Sequence, residues 1–388
     1  MSGLVQKIFT WHRGRNPELL RLKWRKIAAN PFAFFRGTAP LFYESWSVSR
    51  IPGSPRVWAC GDAHLENVGS YRGENRIAYF DLNDFDEACL APAHWEIGRA
   101  LTSLHLAGQP KLAPDFLDVY LATLASGKPM HVELEVATGP VAKLLGKVQD
   151  RRRADFLSER VRGQRLRIRA GHSYSLPPAV KAKVGAVFRK WASAQPAPSF
   201  FAPLDICGRI AGNGSLGLER YMVLVRGRKL AHIIDMKQAS QPAVCQCLSG
   251  QPRWDNEAVR VATVQRQMQY VPTAHLSWIR TPEISYVVRE LQPTEDRIDL
   301  GQLAGEYGDF VAVWAKLLAS AHLRTASWKG SASLDELIRH GEGLPRSHRV
   351  QLLSAARRAA EAQAAMFREF RDNWMSAAGD REALSPSA

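Results

Sequence analysis

Gly212-Asn213-Gly214-Ser215-Leu216-Gly217, followed closely by Arg220-Tyr221-Met222-Val223-Leu224-Val225, is the stretch whose reading decides the fold. The glycines match G-x-G-x-x-G, a pattern compatible with several folds, so its context has to choose among them. In a dinucleotide-binding domain such glycines open a helix. Here the β-branched and aromatic residues after them predict a strand instead. The turn Arg226-Gly227-Arg228-Lys229 leads into Ala231 to Lys237, a further strand ending in Asp235-Met236-Lys237. With Asp205 to Ala211 before the loop and Ile284 to Leu291 after it, the region predicts a small sheet. Gly212, Gly214 and Gly217, with Ser215 among them, would let backbone amides approach phosphates closely. Lys237 would add positive charge there. A helix predicted over 254–269 carries Glu257 as the candidate acid to hold Lys237, with Gln265 or Gln269 as alternatives and Asp255 as a cap.

A second group of polar residues lies upstream, in Cys60-Gly61-Asp62-Ala63-His64-Leu65-Glu66-Asn67 and Phe80-Asp81-Leu82-Asn83-Asp84-Phe85-Asp86. Oxygen ligands of this kind suit a hard cation such as Mg²⁺. A bound Mg²⁺ in turn suits phosphate chemistry. Arg76 to Phe80 reads as a short strand between the two groups, which places them at the ends of a hairpin. Gly-Asp and Asn-Asp pairs also form ordinary turns, but the density of acids beside an apolar strand favours a site. Arg36, in Phe32-Ala33-Phe34-Phe35-Arg36-Gly37, is a candidate anion contact at its mouth.

The chain has 388 residues, enough for two or three domain-sized units, and a net charge of +15 that attracts anions. Much of that charge falls between Arg151 and Arg169. A solvated helix face is the default reading of such a run, and few aromatics interleave it, so nucleic acid is not the favoured partner. Helices are predicted over 17–29, 94–108, 114–125, 131–169, 178–193, 302–323, 333–340 and 347–374. The five cysteines show no C-x-x-C pair, which fits reduced thiols in a cytoplasm. Met1 to Arg15 lacks the apolar core of a secretory signal, and no run reaches membrane-span length.

With both halves in view, the chain resembles the kinase-like phosphotransferases of the aminoglycoside- and choline-kinase type. Gly61-Asp62-Ala63-His64-Leu65-Glu66-Asn67 matches their loop, with Cys60 in place of its leading His, and Phe80-Asp81 matches their following acid. The resemblance implies Asp62 as base toward an acceptor hydroxyl, and Asn67 and Asp81 as Mg²⁺ ligands. Glu96 stands where an Asp usually follows the Trp. The glycine loop comes after the catalytic loop rather than before it, so the resemblance implies a circularly permuted chain. The whole chain is also similar to an uncharacterised bacterial family known as domain of unknown function 2252, through Asn30 to Gly37, Cys60 to Asn67, Phe80 to Ala88, Gly212 to Gly217, Met236-Lys237, Tyr286 to Arg289 and Ala321-His322.

The expectation is therefore an α+β, protein-kinase-like, two-lobed fold in permuted order, with a small antiparallel sheet lobe and a larger helical lobe. Residues 1–45 would form an N-terminal helix and the Phe-Arg-Gly segment. Residues 46–200 would form the helical lobe with the catalytic and metal loops, 201–293 the glycine-loop lobe, 294–376 a helical return, and 377–388 a flexible tail. The expected function is ATP- and Mg²⁺-dependent transfer of a phosphoryl group to an unknown, small hydroxyl acceptor. Lys237 would lie on the α- and β-phosphates, Asp84 or Asp86 would serve a second ion or a basic acceptor, and Arg289 would face acceptor or phosphate. His64 is expected to brace its loop by hydrogen bonds rather than move protons. The alternatives are nucleotidyl transfer to a protein, a non-catalytic kinase-like module binding nucleotide or RNA, and a metal-dependent phosphoesterase.

Overall fold

The four predicted strands of the glycine-loop region form, as Pro203–Arg209, Arg220–Val225, His232–Gln238 and Ser285–Leu291. Two short strands not anticipated, Ser173–Tyr174 and Ser277–Arg280, extend them into a six-stranded sheet. Its order runs 277–280, 285–291, 232–238, 220–225, 203–209, 173–174, and every neighbouring pair is antiparallel. These assignments come from a computed structural model describing residues 2–46, 51, 53–303 and 305–378. Most of the tail expected over 377–388 lies outside the described residues.

Alternation along strand 232–238 sets its two faces. Ile234 and Met236 pack against Phe188 and Trp191 of helix Pro178–Ser193, with Val223 and Val288. Ile233 turns to the opposite face, among Met222, Leu224 and Leu291. Asp235 and Lys237 continue that second face and line a cavity.

The larger body is helical, with small antiparallel pairs inserted. Its core joins Trp46, Trp58, Leu101, Leu104, Leu117, Trp314 and Leu318. Helix Ala93–Leu106 is buried along nearly its whole length, which makes it a rigid mount for the residues it carries. Strands Val68–Arg72 and Ala78–Leu82 form a hairpin, with Val68 opposite Leu82 at its open end. The predicted strand starts too early because Arg76 adopts a left-handed turn conformation (φ 73). Helices Gly3–Trp11 and Pro17–Ile27 pack Ile8, Trp24 and Ile27 against Phe367, Phe370 and Trp374 of the long helix Arg346–Ala378.

Asparagines cap three helix starts, a role expected from the sequence only of Asp255. Asn16, Asn30 and Asn256 each accept a hydrogen bond from the backbone amide three residues on. Asn256, not Asp255, thus caps helix Glu257–Met268. The continuous helix expected over 131–169 is a second correction. Helices Gly139–Gln149 and Arg153–Arg160 are followed by the small hairpin Val161–Arg162 and Arg165–Leu166. That basic run is partly spent internally, with Arg151 on Asp296, Arg152 on Asp155 and Arg153 on Glu290. Among the described residues no helix is long and apolar enough to cross a membrane.

Candidate functional site

The open end of the hairpin brings the two upstream polar loops together. Asn67 does the joining: its Oδ1 accepts from Asp84 N at 2.8 Å, and its Nδ2 donates to the carbonyls of Asp62 (2.9 Å) and Asp84 (3.1 Å). Lys237 arrives from the sheet, 153 positions away in the chain from Asp84. Its Nζ pairs with Asp86 and stands 3.5 Å from Asp84 Oδ1. Gly214, Asp62, Asp84, Asp86 and Lys237 line one cavity of about 560 Å³.

Asp62 is held by a buried cation. Arg99, fully buried on helix Ala93–Leu106, places Nε 2.7 Å and Nη2 2.6 Å from Asp62 Oδ1, and its guanidinium lies 4.1 Å from the centre of the Phe35 ring. Burial raises the Asp62 carboxyl above its ordinary range, and Arg99 opposes that rise. The loop beneath is fixed by Glu96, which accepts from Gly61 N at 3.0 Å. Glu96 in turn meets His322 Nε2 at 2.6 Å, and His322 Nδ1 lies 2.7 Å from the Tyr120 hydroxyl. Glu96 and His322 therefore support the loop from inside the core and do not line the cavity. Gly61 has φ 80, and a Cβ there would sit 1.8 Å from the Glu87 carbonyl oxygen, so no other residue fits.

His64 is neutral. Burial, and then the charges of Arg36, Arg99 and Arg297, push its pKa well below the usual imidazole value. The Glu66 amide donates to Nδ1 at 3.1 Å, and Arg36 Nε lies 3.2 Å from Nε2. These contacts make His64 a brace between loops.

Asp81 is not brought to the cavity. It is buried under the hairpin, where Oδ2 meets Arg324 Nη2 at 3.2 Å and accepts from Tyr270 N at 3.2 Å, and Oδ1 accepts from Leu82 N at 2.8 Å. Those contacts engage both its oxygens away from the cavity, whereas Asp84 and Asp86, also expected as ion ligands, line it. Glu257 is likewise not brought to Lys237. It pairs with Arg260 at 2.6 Å on its own helix. The helix addresses the polar loops through Arg260 instead, whose guanidinium donates to the carbonyls of Ala88, Asp86 and Ser240 at 2.6–2.9 Å. Gln265 reaches the cavity wall, and Gln269 donates to Leu82 O.

The glycine loop is held from behind by the N-terminal helices, a contact with no signal in the sequence. Gly214 O accepts from Lys23 Nζ at 2.6 Å and from Arg15 Nη1 at 3.1 Å, and Gly217 O accepts from Asn16 N at 3.0 Å. Lys23 is 1% exposed, and burial lowers its pKa far below the ordinary lysine value. Because a trans peptide sets its C=O and N–H on opposite sides, a Gly214 carbonyl drawn outward leaves the Ser215 amide facing the other way. Gly212 (φ 80) and Gly217 (φ 91) adopt left-handed backbone, and a Cβ on Gly217 would press within 2.9 Å of Arg15 Cβ.

The sheet wall of the cavity is built on Asp235. Arg220 grips it in two-pronged fashion at 2.9 and 2.6 Å, Arg209 approaches to 2.7 Å and Arg289 to 3.7 Å. Burial would raise this carboxyl, but the three guanidiniums hold it well below the ordinary range. Arg289, expected at the site, lines the cavity. Arg209, Arg220 and Asp235 were missed, since only strand register places them side by side. Elsewhere His232, His275 and Glu290 approach one another, but Glu290 is already bound by Arg153 at 2.5 Å and Arg76 at 3.3 Å.

The family model described as an uncharacterized protein conserved in bacteria (DUF2252) matches residues 15–373. Neither a curated protein nor a solved structure matches the chain.

Proposed function

This chain belongs to the DUF2252 family, and on that premise we propose that it is an ATP- and Mg²⁺-dependent phosphotransferase with a permuted kinase-like fold. One observation carries the reading: Lys237, two residues beyond Asp235 on the second strand after the glycine loop, meets Asp84 and Asp86 across the cavity that Asp62 also lines. A lysine on the third strand, a glycine loop over it and an acid-bearing loop below are the parts that phosphoryl transfer recruits.

The donor set fits a hard cation. Asp84 and Asp86 present carboxylate oxygens beside Lys237, and the Asp84 side chain is 53% exposed to the cavity. Asp84 and Asp86 would hold Mg²⁺, with Asn67 fixing their loop through the Asp84 amide. When bound, the ion supplies charge neutralisation for the β- and γ-phosphoryl oxygens. Lys237 and the Arg209–Arg220–Arg289 wall attract the remaining phosphate charge. Arg99 aims the Asp62 carboxylate, which orients the acceptor hydroxyl and takes its proton. The acceptor oxygen forms a bond to the γ-phosphorus as the bond from that phosphorus to the β–γ bridging oxygen breaks, and ADP leaves. His64, contacted at both ring nitrogens, keeps the loop in register.

The phosphoesterase alternative loses ground because a dinuclear site wants several histidine ligands, and among the described residues the cavity lining offers two, His64 and His172. Calorimetric titration with Mg·ATP tests the proposal. Wild type should bind, and Lys237→Ala and Asp84→Asn should each weaken binding or turnover by about a hundredfold. Unchanged affinity and turnover in both variants would remove the site. Parallel incubation with α- and γ-labelled ATP separates phosphoryl from nucleotidyl transfer by which label reaches the acceptor.

A further inference from the structure

The acids expected to greet a basic acceptor are already engaged. Asp84 and Asp86 face Lys237, and Glu87 Oε2 accepts from Ala243 N at 2.5 Å. The cavity wall beyond Asp62 has the opposite character. Arg36 Nη1 lies 2.6 Å, and Arg297 Nη1 2.9 Å, from the same oxygen of Glu66. Lys26 lines the same wall and has no ion pair among the described residues. Its charge is felt against that of Arg297, and burial together with Arg297 lowers its pKa. Two cations thus share one carboxylate oxygen, and a third, Lys26, stands close enough to feel the charge of Arg297 with no carboxylate of its own among the described residues. Neighbouring acids have closer partners, Asp62 being held by Arg99 and Asp296 by Arg151 at 2.5 Å, although Asp62 still acts on Arg36 at longer range.

Like charges gathered at a partly desolvated wall repel one another unless an anion joins them. Arg36 is oriented for that role, with its guanidinium fixed by His64 and Glu66 and 5.6 Å from the centre of the Phe32 ring. The two other cations come from separate parts of the chain, helix Pro17–Ile27 and the segment after strand Ser285–Leu291. The nucleotide's phosphates have their own cations at the other wall, namely Lys237, Arg209, Arg220 and Arg289.

Resting on the phosphotransferase reading, we propose that the acceptor is an anionic small molecule, a hydroxyl compound bearing a phosphate or carboxylate group, held by Lys26, Arg36 and Arg297 beside Asp62. A cationic acceptor of the amino-sugar or choline kind is disfavoured by the same three charges.

The test uses the full chain saturated with a non-hydrolysable ATP analogue and Mg²⁺. Inorganic phosphate, citrate and choline are titrated separately by calorimetry. Phosphate or citrate should bind and choline should not, and Lys26→Ala and Arg297→Ala should each weaken anion binding about tenfold, the loss of one charge-assisted contact. Both positions are partly exposed, and thermal melts verify that the variants fold. Choline binding without anion binding overturns the proposal, as does anion binding that both variants retain. Loss of analogue affinity in both variants also overturns it, by reassigning these cations to the nucleotide and leaving the phosphotransferase reading intact. If wild type ignores the analogue yet binds phosphate in a way that depends on Lys26 and Arg297, the anion site stands and the phosphotransferase reading falls.

Discussion

Strand Ala78–Leu82 and the loop that follows it carry carboxylates three positions apart, yet they use them in opposite ways. Asp81, on the strand, is buried with both oxygens occupied by Arg324 and two backbone amides. Asp84, in the loop, faces the cavity and Lys237. The strand places its acid under the hairpin, where it ties Arg324 and the Tyr270 backbone to the helical body. The loop has left the ladder, so its acids are free to turn toward the sheet. Proximity in sequence to a chemical motif is thus a poor guide to which acid performs chemistry; the deciding variable is whether the backbone there is paired.

That contrast can be broken most sharply at Asp81. Asp81→Ala strands the mostly buried Arg324 without its carboxylate and two amides without an acceptor. The expected loss is about 3–5 kcal/mol of unfolding free energy, measured by urea denaturation. Nucleotide affinity of the folded fraction should not change. A stable Asp81→Ala protein that fails to bind Mg·ATP would restore Asp81 to the site and undo the comparison.

Glu87 sharpens the same contrast from the loop side. Burial, only partly offset by the Ala243 amide, pushes its carboxyl from 4.5 up to about 7. The folded state therefore holds this proton more tightly than the unfolded chain does. Stability contributed by the group is present below about pH 4.5 and is lost as pH rises toward about 7. Glu87→Gln keeps an acceptor for Ala243 N and carries no charge. It should stabilise the fold by about 2 kcal/mol above pH 7, after allowance for partial exposure, and by nothing below pH 4.5. Thermal melts across that interval read the slope, and a gain independent of pH would mean that Glu87 is not the titrating group.

The smallest effect is expected at Glu257. Its pair with Arg260 is half-open to solvent, and Arg260 keeps its carbonyl partners without it. Glu257→Ala should change stability by no more than about 0.5 kcal/mol and leave nucleotide binding unaltered. A large loss of Mg·ATP affinity would reveal that the helix swings to bring Glu257 onto Lys237 when nucleotide enters.

The strands around the glycine loop were readable because burial on both faces selects β-branched and aromatic residues, as in Arg220–Val225, where every residue is buried. A cap is satisfied within three residues, so the choice of Asp255 missed the start of its helix by one position, Asn256 being the cap. Arg153–Arg160 and its successor were misread as one helix because arginines favour helix and the turn at Gly163 interrupts them only briefly. Asp81 and Glu257 lie away from Lys237 for a different reason. Each was chosen by its place in a pattern, whereas its partner, Arg324 or Arg260, is selected by packing.

By itself the amino-acid sequence determined that a glycine loop is flanked by strands, that two acid-bearing loops close a hairpin, and that family membership spans residues 15–373. These are local matters of backbone freedom, alternation and turn chemistry. Only the tertiary structure decided which carboxylates face Lys237, that Lys23 and Arg15 hold the glycine loop from behind, and that Lys26, Arg36 and Arg297 gather at one wall. Charge interactions depend on distance through space and on burial, and neither is a function of separation along the chain.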